Sequence, residues 1–247
     1  MEIDVILSPS CHSGEQAAGR VAVVIDVLRA TSTIVTALGN QALGIIPVLD
    51  PGEASGLKRE TRYEDCLLGG ERRGYKIPGF DLGNSPGEYG PSRVAGKRII
   101  LSTTNGTKAI RWAAGARVVL AASFLNIRET VRFLHQTCRD LLLVCSGSHG
   151  DLSLEDLTCA GMITDLLTEG LVHPCATIRL SDKARIARYT YLKAQETGLE
   201  DFIAGTEHGR YLERIGMGED LRSCSAVDRY PVLAQLVGNE IRDVELV

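Results

Sequence analysis

Residues 21–33, VAVVIDVLRATST, run from an unbroken apolar stretch into an aspartate, an arginine and a cluster of hydroxyls. Val21, Val23, Val24 and Ile25 are β-branched, and such a run suits a strand covered on both faces of a sheet. Strands of that kind deliver ligand groups just beyond their carboxyl ends. Asp26, Arg29, Thr31, Ser32 and Thr33 are therefore expected at a sheet edge, ahead of a helix. One carboxylate can hold a cation, one guanidinium can grip an oxyanion, and hydroxyls and amides that open a helix can cradle phosphate. The combination points to metal-assisted phosphate chemistry.

The pattern recurs twice. Residues 97–107, KRIILSTTNGT, again run from a strand into Ser102, Thr103, Thr104, Asn105, Gly106 and Thr107, followed by the helical pattern AIRWAAG. Residues 140–156, DLLLVCSGSHGDLSLED, give a third instance with Ser146, Gly147 and Ser148, and add the acidic pair Glu155 and Asp156. Strands are expected near 2–7, 21–27, 45–49, 66–71, 98–103, 117–122 and 140–146, and helices near 31–39, 105–114, 126–138 and 153–169. This alternation predicts an α/β fold, layered α/β/α around a mixed central sheet. Ser153 with Asp156 three residues on has capping-box spacing. From Ser181 to Glu213 the pattern turns helical, charged and tyrosine-bearing. The expected organisation is one domain over 1–247, with an α/β core at 1–180 carrying the site and a more helical C-terminal portion at 181–247. Residues 69–96, punctuated by Gly and Pro and rich in ionisable groups, form the longest irregular segment, and such segments are often functional.

Composition narrows the function classes. The 247 residues are 44% hydrophobic and 23% charged, enough for an ordinary globular core. A net charge of −4 argues against a nucleic-acid partner, whose phosphate backbone needs a dense basic surface. No apolar run approaches the roughly 20 residues of a membrane helix, and the opening MEIDVILSP lacks a basic stretch before an apolar core, so no membrane partner and a cytoplasmic location are expected. Seven cysteines at 11, 66, 138, 145, 159, 175 and 224 contain no CxxC pair, which fits reduced, mostly buried thiols.

Familiar catalytic signatures fail. There is no GxxxxGK[ST] loop, no GxGxxG turn, and no HxH or HExxH among the five histidines. Asp26 is followed by VLRA, without the second aspartate of an aspartyl-phosphate phosphatase. Cys66 and Arg72 do stand in the C-x5-R spacing of cysteine-dependent phosphatases. Glu71 inside that loop would repel phosphate, and a strand-borne Cys66 has no means of becoming a thiolate, so the spacing reads as coincidence.

Four blocks, VVIDVLRATSTIVTAL at 23–38, GERRGYKIPGFDLGNSPGEY at 70–89, ILSTTNGTKAI at 100–110 and CSGSHGDLSLEDLTCAG at 145–161, resemble the 2-phosphosulfolactate phosphatase family. The resemblance covers about three-quarters of the chain; residues beyond about 185 share it only loosely. It implies an α/β fold distinct from the common phosphatase folds and a Mg2+-dependent hydrolysis of 2-phosphosulfolactate to 3-sulfolactate, a step toward coenzyme M. With it, Glu71 and Asp81, otherwise solvated loop charges, become metal-ligand candidates beside Asp26 and Asp156. Asp156 also has a plain structural role, since an acidic residue in a first helical turn offsets the helix dipole. Asp26 can serve as ligand or nucleophile, and Arg29 as the grip on phosphate. Thr31, Ser32, Thr103, Thr104, Asn105, Gly106, Ser146, Gly147 and Ser148 are the expected phosphate cradle, although each also suits a turn or cap. Arg72 or Lys108 is expected to receive the sulfonate. The expected partner is a small anionic phosphorylated substrate, with a homo-oligomer left open. Two other classes remain at this stage: a non-catalytic binder of an anionic metabolite, and a phosphotransferase or lyase acting on a related acid.

Overall fold

The computed structural model describes residues 1–169 and 177–245. Along the chain lie strands β1 (Glu2–Ile6), β2 (Val21–Ile25), β3 (Gly44–Val48), β4 (Leu67–Arg72), β5 (Tyr75–Lys76), β6 (Arg98–Ser102), β7 (Val118–Ala122), β8 (Leu141–Cys145), β9 (Arg179–Leu180), β10 (Ala234–Val237) and β11 (Glu240–Asp243). The helices are α1 (Ala30–Gly39), α2 (Pro51–Lys58), α3 (Pro91–Val94), α4 (Gly106–Trp112), α5 (Ile127–Thr137), α6 (Leu154–Thr168), α7 (Asp182–Thr197), α8 (Leu199–Ala204), α9 (Glu207–Arg214) and α10 (Glu219–Ser225). The described strands form one mixed sheet in the order β5-β4-β6-β3-β11-β10-β7-β2-β8-β1-β9. The layered α/β fold expected from the sequence is therefore present.

The apolar strands sit where their composition requires. All five residues of β2 are buried, and β2 pairs in parallel with β7 and β8 along its whole length. Alternate residues serve two cores. Val21, Val23 and Ile25 join Leu141, Leu143, Leu157 and Ile163 on one face, whereas Ala22 and Val24 join Ile34, Leu38 and Ile110 on the other. Helix α6 thus covers one side, and α1 and α4 cover the opposite side. Helices α6 and α7 lie unusually close because Gly161 has no side chain; a Cβ there would fall 2.0 Å from the Ala187 carbonyl oxygen. Ser153 Oγ accepts the Asp156 N–H at 3.3 Å, so the cap read from the sequence starts α6.

The C-terminal portion is helical through α7–α10, but its last strands differ from the expectation. β10 and β11 form a hairpin inserted into the middle of the sheet, pairing antiparallel with β7 and β3 through Gln235–Leu120 and Ile241–Ile45. Gly238 turns the hairpin at φ +64°, followed by Asn239, a two-residue turn chemistry that matches the strand twist. Cys66, Cys145, Cys159 and Cys224 are free and buried as expected, whereas Cys138 is disulfide-bonded, contrary to the expectation of thiols throughout. Among the described residues no helix is long and apolar enough to cross a membrane.

Candidate active site

The segment between β2 and α1 is wired by its own hydroxyls. Thr31 Oγ1 accepts the Asp26 N–H at 3.0 Å and donates to the Asp26 carbonyl at 2.8 Å, and Ser32 Oγ donates to the Val27 carbonyl at 2.7 Å. Both side chains are fully buried, so Thr31 and Ser32 hold the loop and do not line a phosphate cradle. What they hold is Asp26. Its Oδ1 accepts the Ala30 N–H at 3.0 Å, and its carboxylate lies against Gly106, where a Cβ would come within 2.6 Å of Oδ2. The absence of a side chain at Gly106 makes room for it. Burial pushes the Asp26 carboxyl above its usual range, against the opposing pull of the Ala30 amide and the His208 charge.

Asp26 borders a cavity of about 290 Å³ whose walls also include Glu71, Arg73, Asn84, Thr104 and His208. Glu71, the last cavity-facing residue of β4, clamps two loops. Its Oε1 accepts the Thr104 N–H at 2.8 Å and its Oε2 accepts the Gly74 N–H at 2.8 Å. Among the described residues, two oxygens of the lining residues have no partner: Asn84 Oδ1 and Thr104 Oγ1 are buried without a hydrogen bond. An orphaned buried acceptor costs about 1–3 kcal/mol, a cost relieved when a ligand supplies the missing contact.

The far wall comes from α9, which the sequence pattern had not brought to the site. His208, Tyr211 and Arg214 line the cavity together with Glu207. His208 Nδ1 lies 3.2 Å from Glu155 Oε1, a carboxylate in the first turn of α6 that is 1% exposed. Tyr211 Oη donates to the Arg73 carbonyl at 2.9 Å, and the Arg214 guanidinium sits 5.7 Å from the Tyr211 ring centre. Spacing of three along α9 puts these groups on neighbouring turns of one face. That spacing was the available signal, but a charged helical face usually reads as solvated.

Several expected residues occupy other places. Arg29 lines the cavity, yet its Nη1 donates to Asp220 at 2.6 Å and its Nη2 to the Gly74 carbonyl at 2.7 Å. Arg72 is not among the cavity-lining residues; its guanidinium donates to the Glu71, Ser102 and Leu49 carbonyls and to Ser102 Oγ. Its neighbour Arg73 takes the cavity side instead. Lys108 is exposed on α4 and is not among the cavity-lining residues. Asp81 is exposed, away from the cavity, with Oδ2 accepting the Leu68 N–H at 2.8 Å. Asp156 is not among the cavity-lining residues, and its oxygens accept the Val27 N–H at 2.8 Å and Ser146 Oγ at 3.0 Å. Among the described residues no three His, Cys, Asp or Glu side chains group as metal ligands, so Asp26, Glu71, Asp81 and Asp156 do not form one set. Thr103, Thr104 and Asn105 line the cavity, as does Ser148; Ser146 and Gly147 are not among its lining residues, and Gly106 serves as the gap beside Asp26.

The 2-phosphosulpholactate phosphatase family profile matches residues 6–239, nearly the whole chain. The chain belongs to this family of phosphatases. A protein of Clostridium perfringens strain SM101 named probable 2-phosphosulfolactate phosphatase is 40% identical over 247 residues, covering 99% of this chain and 97% of its own. Proteins of the same name from Symbiobacterium thermophilum and Thermotoga petrophila are 43% and 42% identical, covering 89% and 95% of this chain and 92% and 95% of their own lengths. The family's 6–239 match spans every wall of the cavity, from Asp26 to Arg214.

Proposed function

We propose that this chain is a Mg2+-dependent phosphatase that hydrolyses 2-phosphosulfolactate to 3-sulfolactate and inorganic phosphate. The reading is supported by the family and by the names of its relatives. The observation that carries the metal is the donor set lining one cavity: the buried carboxylates Asp26 and Glu71 together with the orphaned oxygens Asn84 Oδ1 and Thr104 Oγ1. These are oxygen ligands only, and Mg2+ is commonly held by one or two carboxylates together with substrate phosphate and water. When bound, the cation supplies Lewis-acid stabilisation of charge on the phosphate.

The chain's own groups divide the remaining work. Asp26, held by the Ala30 amide and the gap at Gly106, is fixed in direction before substrate arrives. Glu71 fixes the Thr104 and Gly74 amides in the same way. Arg73 and Arg214, which also line the cavity, take the place assigned from sequence to Arg72 or Lys108 and receive the sulfonate and carboxylate. Arg29, itself in the lining, ties the Gly74 carbonyl to Asp220.

The test is release of inorganic phosphate from synthetic 2-phosphosulfolactate by the purified chain. Multiple turnovers with Mg2+, lost in excess EDTA and restored by added Mg2+, are expected. Tight substrate binding without phosphate release would overturn the reading in favour of a non-catalytic binder, and undiminished turnover in EDTA would remove the metal from it.

A further inference from the structure

We infer that His208 is the proton donor to the leaving oxygen of the phosphate ester, held in position by Glu155. This inference rests on the phosphatase reading and assigns a role that the reading leaves open. The leaving group in such a hydrolysis is the alkoxide of a hydroxy acid, which is a poor leaving group until it is protonated. As the phosphorus–oxygen ester bond breaks, the imidazolium gives its proton to that oxygen and yields the free hydroxyl. Water supplies the oxygen that bonds to phosphorus, and the proton it releases returns through solvent to the imidazole, so no further reactant is needed.

The cavity presents few candidates for this donor. Arg29, Arg73 and Arg214 line the cavity, but a guanidinium serves as a hydrogen-bond donor and not as a proton-transfer group. His149 also lines the cavity but is exposed at its rim. His208 lines the same cavity as Asp26 and Glu71, and its Nδ1 faces a carboxylate almost wholly removed from water, 3.2 Å away. A carboxylate behind Nδ1 fixes the ring's orientation and tautomer and favours the imidazolium. The charged neighbours come from several elements: Glu155 from α6, Asp26 after β2, Arg29 before α1, and Glu207 and Arg214 on α9 itself. Burial opposes the charge on His208, but the Glu155 hydrogen bond and the Glu155 and Asp26 charges outweigh burial and the repulsion from Arg29, holding the ring above the usual histidine range. A ring whose charged form is favoured by the carboxylate behind it suits an acid more than a base. The bland alternative is an ion pair that only staples α9 to α6.

The experiment compares wild type, His208→Gln and Glu155→Gln with 2-phosphosulfolactate and Mg2+ across pH. His208→Gln is expected to retain the wild-type circular dichroism spectrum and a KM within about threefold, to lose about a hundredfold in kcat, and to lose the fall of kcat on the alkaline side. Glu155→Gln is expected to keep that alkaline limb but move it to lower pH by about one pH unit. A His208→Gln enzyme with kcat within about threefold of wild type, or with the alkaline limb unchanged, would overturn the assignment. So would a limb on the acidic side that vanishes in His208→Gln, which marks a base. Should His208→Gln fail to fold, the His208 ring is titrated by NMR in wild type: a midpoint matching the alkaline limb supports the role, and a midpoint more than about one pH unit away refutes it. A wild-type chain that releases no phosphate refutes the phosphatase reading and this inference with it, whereas an active wild type with a near-normal His208→Gln refutes this inference alone.

Discussion

Arg29 Nη1 donates to Asp220 Oδ2 at 2.6 Å, and the two side chains are 3% and 5% exposed. The pair joins the segment after β2 to α10, across 191 residues of chain. Arg29 Nη2 adds the Gly74 carbonyl at 2.7 Å, so one guanidinium ties together three segments around the cavity. An ion pair this buried contributes little beyond a well-packed apolar pair, but removing one partner strands the other charge. Asp220→Ala is therefore expected to lose about 3–5 kcal/mol of stability in urea unfolding. A loss below about 1 kcal/mol would mean that Arg29 is not held by Asp220 in solution and is free to grip phosphate directly.

Gly106 begins α4 where Asp26 needs room. Alanine is the better helix former by about 1 kcal/mol, which by itself would stabilise. An added Cβ, however, would meet Ala30 Cβ at 2.5 Å and Asp26 Oδ2 at 2.6 Å, and forced overpacking costs about 1–3 kcal/mol. The steric cost is the larger. Gly106→Ala is expected to lower the melting temperature and, by displacing Asp26, to lower kcat at least about tenfold. A raised melting temperature with normal turnover would show that this approach is looser than the structure has it.

The His208–Glu155 pair has a pH signature in stability as well as in rate. Burial raises the Glu155 carboxyl, but the His208 hydrogen bond and charge more than offset that and hold it below its usual 4.5. Its contribution is therefore complete above pH 4.5 and is lost as pH falls through the depressed value. His208 is held above 6.5, so its contribution is complete below pH 6.5 and is lost as pH rises through the elevated value. The stability difference between wild type and Glu155→Gln should be greatest between pH 4.5 and 6.5 and shrink on both sides. A difference independent of pH would contradict the pair.

Much of the frame was legible because buried strands are written as apolar runs. The spans expected at 21–27, 98–103 and 140–146 correspond to β2, β6 and β8, and Ser153 marked the start of α6. The β10–β11 hairpin was not legible in the same way. Its strands AQLV and EIRD are short and mix polar with apolar residues, and their place in the sheet depends on Leu120 and Ile45, far away in sequence. The Gly238–Asn239 pair was the missed local cue. At the site, Asp26, Thr104 and Asn105 followed from strand ends. Arg72 was misplaced for a reason the strand period already contains: if Glu71 faces the cavity, its neighbour in β4 must face away. His208, Tyr211 and Arg214 depend on how α9 docks, which no local pattern specifies.

Cys66 is buried outside the cavity lining, and desolvation pushes its thiol above the usual range, so it stays neutral at working pH. The partner in its C-x5-R spacing, Arg72, is spent on Ser102 and on backbone carbonyls. Cys66→Ser is expected to keep kcat/KM within about tenfold, or about 1.4 kcal/mol of transition-state stabilisation. A complete loss of turnover in a folded Cys66→Ser protein, or a phosphorylated Cys66 trapped by mass spectrometry, would reinstate a thiolate mechanism.

The central claim is that the carboxylate at the end of β2 is the focus of a phosphatase site. Asp26→Asn keeps the size of the side chain and an oxygen to accept the Ala30 amide, while removing the charge. The direct measurement is kcat for phosphate release from 2-phosphosulfolactate by this variant at saturating substrate and Mg2+, with folding checked by circular dichroism. The account predicts a fall of at least about a hundredfold with the fold intact. Turnover within about threefold of wild type would contradict it.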